Sequence, residues 1–186
     1  MQRRFTVPET QHFLRLVDAE LSRPCTVVLV CGAAVVLGYC PDHACSELEL
    51  WSTTDSVFWT AAERAAEKIS RPIRVRQAMA GEPRYPFEDR LWPLKIEGLR
   101  HLEVLIPEAH DQVLLKAARA EPLDLVTEIH RANPLSLGTL GERYHEMERH
   151  VAGPRSRFRD NYLALVAKLF GEGRKNEVEK RLNGKK

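Results

Sequence analysis

The hydrophobic pattern of the chain is densest between residues 26 and 50, TVVLVCGAAVVLGYCPDHACSELEL, and the other elements take their places around this stretch. Residues 26–30 are β-branched and aliphatic without polar alternation, which predicts a strand covered on both faces. Cys31-Gly32 breaks the run. Residues 33–38 are small and apolar, as suits a short helix lying close to a sheet. The first amides of that helix, at Gly32 and Ala33, would emerge unpaired from the turn as a cradle for phosphate. In Ser46-Glu47-Leu48-Glu49-Leu50-Trp51 the period is two, so Glu47 and Glu49 leave one face of a strand while Leu48 and Leu50 enter the core.

The remaining segments read in order. Residues 8–23 predict an amphipathic helix with proline near its start and a stripe of Phe13, Leu16, Val17 and Leu21. A polar break with a helix cap at 51–56 leads to a second amphipathic helix over 57–69. Residues 73–77 alternate as an edge strand, with Arg74 and Arg76 facing phosphate or solvent. Residues 80–88 carry two prolines and a glycine and predict a loop, either a binding lid or a plain surface excursion. Residues 89–94 and 99–106 form a hairpin-like pair of strands, with Glu103 as a third acid or a solvated one. From residue 107 the pattern turns helical, over 107–120, 123–132, 136–150 and 157–170.

This predicts an α+β chain: a mixed sheet flanked by helices over 1–106, a helical bundle over 107–171, and a charged tail over 172–186 that frays. With 186 residues, 44% hydrophobic and 29% charged, the chain can bury one good core with a helical appendage. Its beginning shows no apolar leader and its longest apolar run is too short to span a bilayer, so the expectation is a soluble, cytoplasmic protein with no membrane partner.

Charge and cysteines change the picture only locally. From residue 154 onward ten lysines and arginines face four acids, a local +6 in a chain of net +2, which leaves −4 on the remainder. Such a basic region can hold RNA, or simply keep exposed helices solvated. The four cysteines all fall between residues 25 and 45, unlike a disulfide framework. Cys40, His43 and Cys45 offer three soft ligands to zinc, one short of a closed structural site, while Cys25 and Cys31 flank the buried strand and read as small core residues rather than nucleophiles.

The order of pieces resembles the nucleotidyltransferase fold shared by minimal nucleotidyltransferases and abortive-infection toxins of toxin-antitoxin systems. The segments CGAAVVLGY, SELELW, EDRLWPL, LRHLEVLIPEAHDQVLLKAAR, PLDL and RFRDNYLALVAKLFG carry the resemblance, which spans about residues 27–171 and is closest to a group of small bacterial proteins of that class. It implies transfer of a nucleoside monophosphate from a nucleoside triphosphate (NTP) to RNA or protein, with Mg2+ as cofactor, in a toxin-antitoxin or phage-defence setting with a cognate antitoxin-type protein. The family's glycine pair falls on Cys31-Gly32, its metal-binding D-x-D on Glu47 and Glu49, its phosphate-facing lysine on Lys116, and the following arginine and aspartate on Arg119 and Asp124. Lys116 and Arg119 lie one helical turn apart, so an ion pair with Asp124 between two helices is the structural alternative.

Two departures favour a second outcome, a catalytically inactive scaffold of the same fold that binds RNA, nucleotide or protein. Glutamate in place of both aspartates lengthens each ligand arm by roughly 1 Å, enough to cost about a hundredfold in a reaction that depends on positioning. Cys31 in place of the first glycine puts a side chain where backbone should approach phosphate.

Overall fold

The computed structural model of the chain describes residues 4–52, 55–78 and 86–184. It is an α+β structure that divides into two compact units, one of Met1–Gly81 with Leu91–Pro107 and one of Glu82–Arg90 with Glu108–Lys186.

The first unit runs β1 (Phe5–Thr6), α1 (Val7–Glu20), β2 (Cys25–Val30), α2 (Cys31–Gly38), β3 (Ala44–Cys45), β4 (Glu47–Ser52), α3 (Ser56–Glu67), β5 (Arg74–Gln77), β6 (Leu91–Pro93) and β7 (Leu102–Pro107). Five strands make a mixed sheet in the order β5-β4-β2-β7-β6, and β1 pairs with β3 in a small separate ladder. β2 runs antiparallel to β4 and parallel to β7, β5 runs parallel to β4, and β6 closes antiparallel on β7. Burial of Val27, Val28, Leu29 and Val30 at successive positions marks β2 as covered on both faces.

Local chemistry sets the boundaries. Thr6 and Glu9 form a capping box ahead of α1, with Pro8 in the first turn. Asp55 caps α3 by accepting from the Val57 amide at 3.0 Å. α2 begins at Cys31, two residues earlier than its apolar run suggests. Gly38 lets it approach β7 so closely that a Cβ there would collide with the Ile106 side chain. Asp18, on the buried face of α1, accepts the amides of Arg100 (2.9 Å), His101 (2.7 Å) and Leu102 (2.7 Å) where the chain enters β7. Burial pushes its carboxyl up, but those three amides prevail and hold it below the usual carboxylate range.

The second unit is helical: a 3-10 turn over Pro86–Arg90, then α4 (Ala109–Ala118), α5 (Val126–Ala132), α6 (Leu137–Met147), α7 (Arg155–Phe170) and α8 (Glu172–Asn183). Its core is centred on Tyr144, which stacks on Tyr162 at 4.2 Å and on Phe158 at 5.0 Å between ring centroids. Beside it lies an ion network. Fully buried Asp111 receives both Nε (2.9 Å) and Nη2 (3.0 Å) of Arg90, and Arg143 at 2.8 Å. Arg143 also reaches Glu108, whose other oxygen meets Nδ1 of His110 at 2.7 Å. Since Nε2 of His110 accepts the Ser136 amide at 2.9 Å, the proton sits on Nδ1 and is donated to Glu108.

One expectation is corrected here, and another falls mostly outside the described residues. The tail does not fray where the structure describes it: α8 is formed through Asn183, supported by the pairs Arg174–Glu177 (2.8 Å) and Lys175–Glu172 (3.1 Å) and by its contact with α7. Most of the 80–88 segment, up to residue 85, lies outside the described residues, and its last three residues belong to the 3-10 turn, with Phe87 buried.

Candidate functional site

The site is built at one end of β2, where Val30 pairs with Glu49 and the chain turns into α2. Glu47 and Glu49 project from the same face of β4, while Leu48 and Leu50 between and beyond them are fully buried. β5 lies parallel beside β4 with Arg76 opposite Glu49 and Arg74 opposite Glu47. Arg76 turns across the pair. Its Nε donates to Glu47 Oε1 at 2.7 Å and its Nη2 to Glu49 Oε2 at 3.1 Å, so one guanidinium holds two carboxylates. Glu49 is 3% exposed and therefore needs compensation, which the half-open Arg76 supplies.

Cys31 occupies the turn at φ 59°, in the left-handed region that glycine adopts without cost, and its Sγ lies within 4.8 Å of a Glu49 carboxylate oxygen. The glycine beside it is not the residue that the bend needs. Gly32 has no positive φ, and a Cβ there would meet nothing within 4 Å. The conformational demand thus sits on Cys31. The N-terminus of α2 carries no side-chain cap.

This donor set does not fit a magnesium ion as it stands. Magnesium asks for near-octahedral oxygen ligands at about 2.0–2.1 Å. Here one oxygen of each glutamate already accepts from Arg76, and a cation bound between the two acids would displace that guanidinium. A third acid is not supplied by Glu103. It is exposed, accepts from the Thr26 hydroxyl at 2.9 Å, and pairs with β2 four residues before Val30, about 13 Å along the strand.

Lys116, Arg119 and Asp124 belong to the second unit. The first two are brought together, but by Glu121 and not by Asp124. Lys116 Nζ lies 3.3 Å from Glu121 Oε2 and Arg119 Nη1 lies 3.6 Å from Glu121 Oε1, while Asp124 is exposed in the turn before α5. The cause is the end of α4. The Glu121 amide bonds back to Lys116 O at 2.9 Å and the Ala120 amide to Ala117 O at 3.2 Å, a Schellman closure with Ala120 at φ 54°. That closure swings Glu121 under both cations. The motif is hidden in the sequence because it has alanine where glycine would announce it.

Cys40 and Cys45 are buried, and the Cys45 thiol sits 3.5 Å from the Thr10 hydroxyl. Burial pushes that thiol above its usual range, against the thiolate that zinc requires. None of the four cysteines forms a disulfide. Among the described residues no helix is long and apolar enough to cross a membrane.

No family model, curated protein or solved structure matches this chain.

Proposed function

We propose that this chain is a catalytically inactive, nucleotidyltransferase-like scaffold that acts by binding RNA. The observation that carries the reading is Arg76 bound to Glu47 and Glu49 together. It gives the acidic pair an internal counter-ion in the position where a transferase of this type would hold Mg2+ and the triphosphate. Glutamate at both positions and a cysteine at the glycine bend point the same way. RNA is favoured as the ligand by the exposed cations Arg155, Arg157 and Lys168 on α7 and Lys180 on α8.

Two measurements test it. Electrophoretic retention of single-stranded RNA across a salt series is expected to show binding that weakens with salt by about 0.7 log units per log unit for each phosphate contact, and that falls in Arg155→Gln/Arg157→Gln/Lys168→Gln. Calorimetry with ATP, GTP, CTP and UTP, with and without Mg2+, is expected to show no magnesium-dependent binding. Magnesium-dependent binding that disappears in Glu47→Gln/Glu49→Gln would overturn the scaffold reading in favour of nucleoside monophosphate transfer. Failure to retain RNA at low salt would leave a protein, such as an antitoxin-type partner, as the ligand.

A further inference from the structure

A cavity of about 580 Å3 opens between α6, α7 and α8, entirely within the second unit and apart from the acidic pair. Its size falls within the range of small-molecule sites. Three observations say that it is built for a ligand. The first is Tyr162, which is 1% exposed, lines the cavity, and has its hydroxyl beside Gly141, yet makes no hydrogen bond to any other described residue. Burial alone pushes its phenol up to about 12, so it stands ready as a neutral donor.

The second is Gly141 itself. Glycine is disfavoured inside a helix relative to alanine, and a Cβ here would make only an ordinary 3.6 Å contact with the Tyr162 hydroxyl. Packing does not demand glycine at this position, and its lack of a side chain leaves the cavity wall open beside the Tyr162 hydroxyl. The third is the opposite wall. α8 buries none of its residues, and it presents Val178 and Leu182, one turn apart, to the cavity, flanked by Arg174 and Arg181. Arg174 is paired with Glu177 at 2.8 Å, which leaves the Arg181 guanidinium as the net positive charge at the edge.

We propose that this cavity is a binding site for a small amphiphilic carboxylate, with its apolar body against Val178 and Leu182, an oxygen accepting from the Tyr162 hydroxyl, and Arg181 as counter-charge. The proposal is independent of the reading given to Glu47 and Glu49. Its occupant is an anion, because the arginines of the lining outnumber its one glutamate.

The test is calorimetric titration of the full chain with decanoate, and with decanol as the neutral control, together with displacement of anilinonaphthalenesulfonate fluorescence by decanoate. Saturable one-to-one binding of decanoate that displaces the dye is expected. Arg181→Gln should weaken decanoate about tenfold while leaving decanol unchanged, and Tyr162→Phe should weaken both several-fold. Gly141→Leu should abolish both by filling the cavity. If Gly141→Leu does not give a native near-UV spectrum, the other two variants decide. Absence of saturable binding at millimolar decanoate overturns the proposal, as does binding that ignores Arg181→Gln and Tyr162→Phe.

Discussion

Arg76 meets Glu49 through Nη2 at 3.1 Å across the parallel β4–β5 pair, and this contact decides what the acidic face of β4 can do. Replacing Arg76 by Ala removes the counter-charge from a 3% exposed carboxylate and from its neighbour Glu47. The variant should lose about 1–2 kcal/mol of stability and gain affinity for a divalent cation. Thermal melts with and without Mn2+ check both: the ion should raise the melting temperature of Arg76→Ala and leave that of the native chain where it is.

Cys31 carries the bend from β2 into α2 at φ 59°. In Cys31→Gly, relief of about 1–2 kcal/mol of backbone strain is offset by the looser unfolded chain and the lost thiol burial, so stability should stay within about 1 kcal/mol. Cys31→Val puts a β-branched side chain in the same region and should cost about 2 kcal/mol or more. Urea unfolding of the two variants separates them.

Ala120 at φ 54° closes the Schellman turn that brings Glu121 to Lys116 and Arg119. Ala120→Gly should stabilise the second unit by about 0.5–1 kcal/mol, read as a shift in urea midpoint without change in slope.

Asp111 is fully buried and shared by Arg90 and Arg143. Asp111→Ala leaves two guanidinium groups around an empty position and should cost about 3–5 kcal/mol. Chemical denaturation of the variant gives the number directly.

Glu108 gives the acid side of the stability curve. Burial raises its pKa, but the His110 hydrogen bonds and the Arg143 charge outweigh that and bring it from 4.5 to about 2. Its folded pKa lies below its unfolded one, so its contribution, roughly up to 3 kcal/mol, is complete above pH 4.5 and is lost as the pH falls from there towards 2. Glu108→Gln should flatten the stability–pH profile in that window and leave its shape at neutral pH unchanged.

Much of the first unit is legible in the sequence because its signals are local. Period two in 46–51, unbroken aliphatics in 26–30 and a 3.6-residue stripe in 8–23 each name an element without reference to the others. The α+β class follows from their order, and the structure has it. What is not legible depends on partners distant in the chain. Arg76 can be put on one face of an edge strand, but nothing in its own neighbourhood says that β5 lies parallel to β4 with residue 76 opposite residue 49. The sequence points to Asp124 over Glu121 because a left-handed alanine gives no signal there. α8 escapes notice because seven of its twelve residues are charged and its two apolar ones, Val178 and Leu182, make too narrow a stripe to be told from a solvated tail.

Asp18 has a consequence for how the chain tolerates change. Its partners are the amides of residues 100–102, more than eighty positions away, and an amide belongs to nearly every residue type. Arg100 and His101 are therefore free to drift to almost anything but proline without disturbing the lock, whereas no replacement at 100–102 can compensate for the loss of the carboxylate at 18. Related chains should be variable on one side of this contact and invariant on the other.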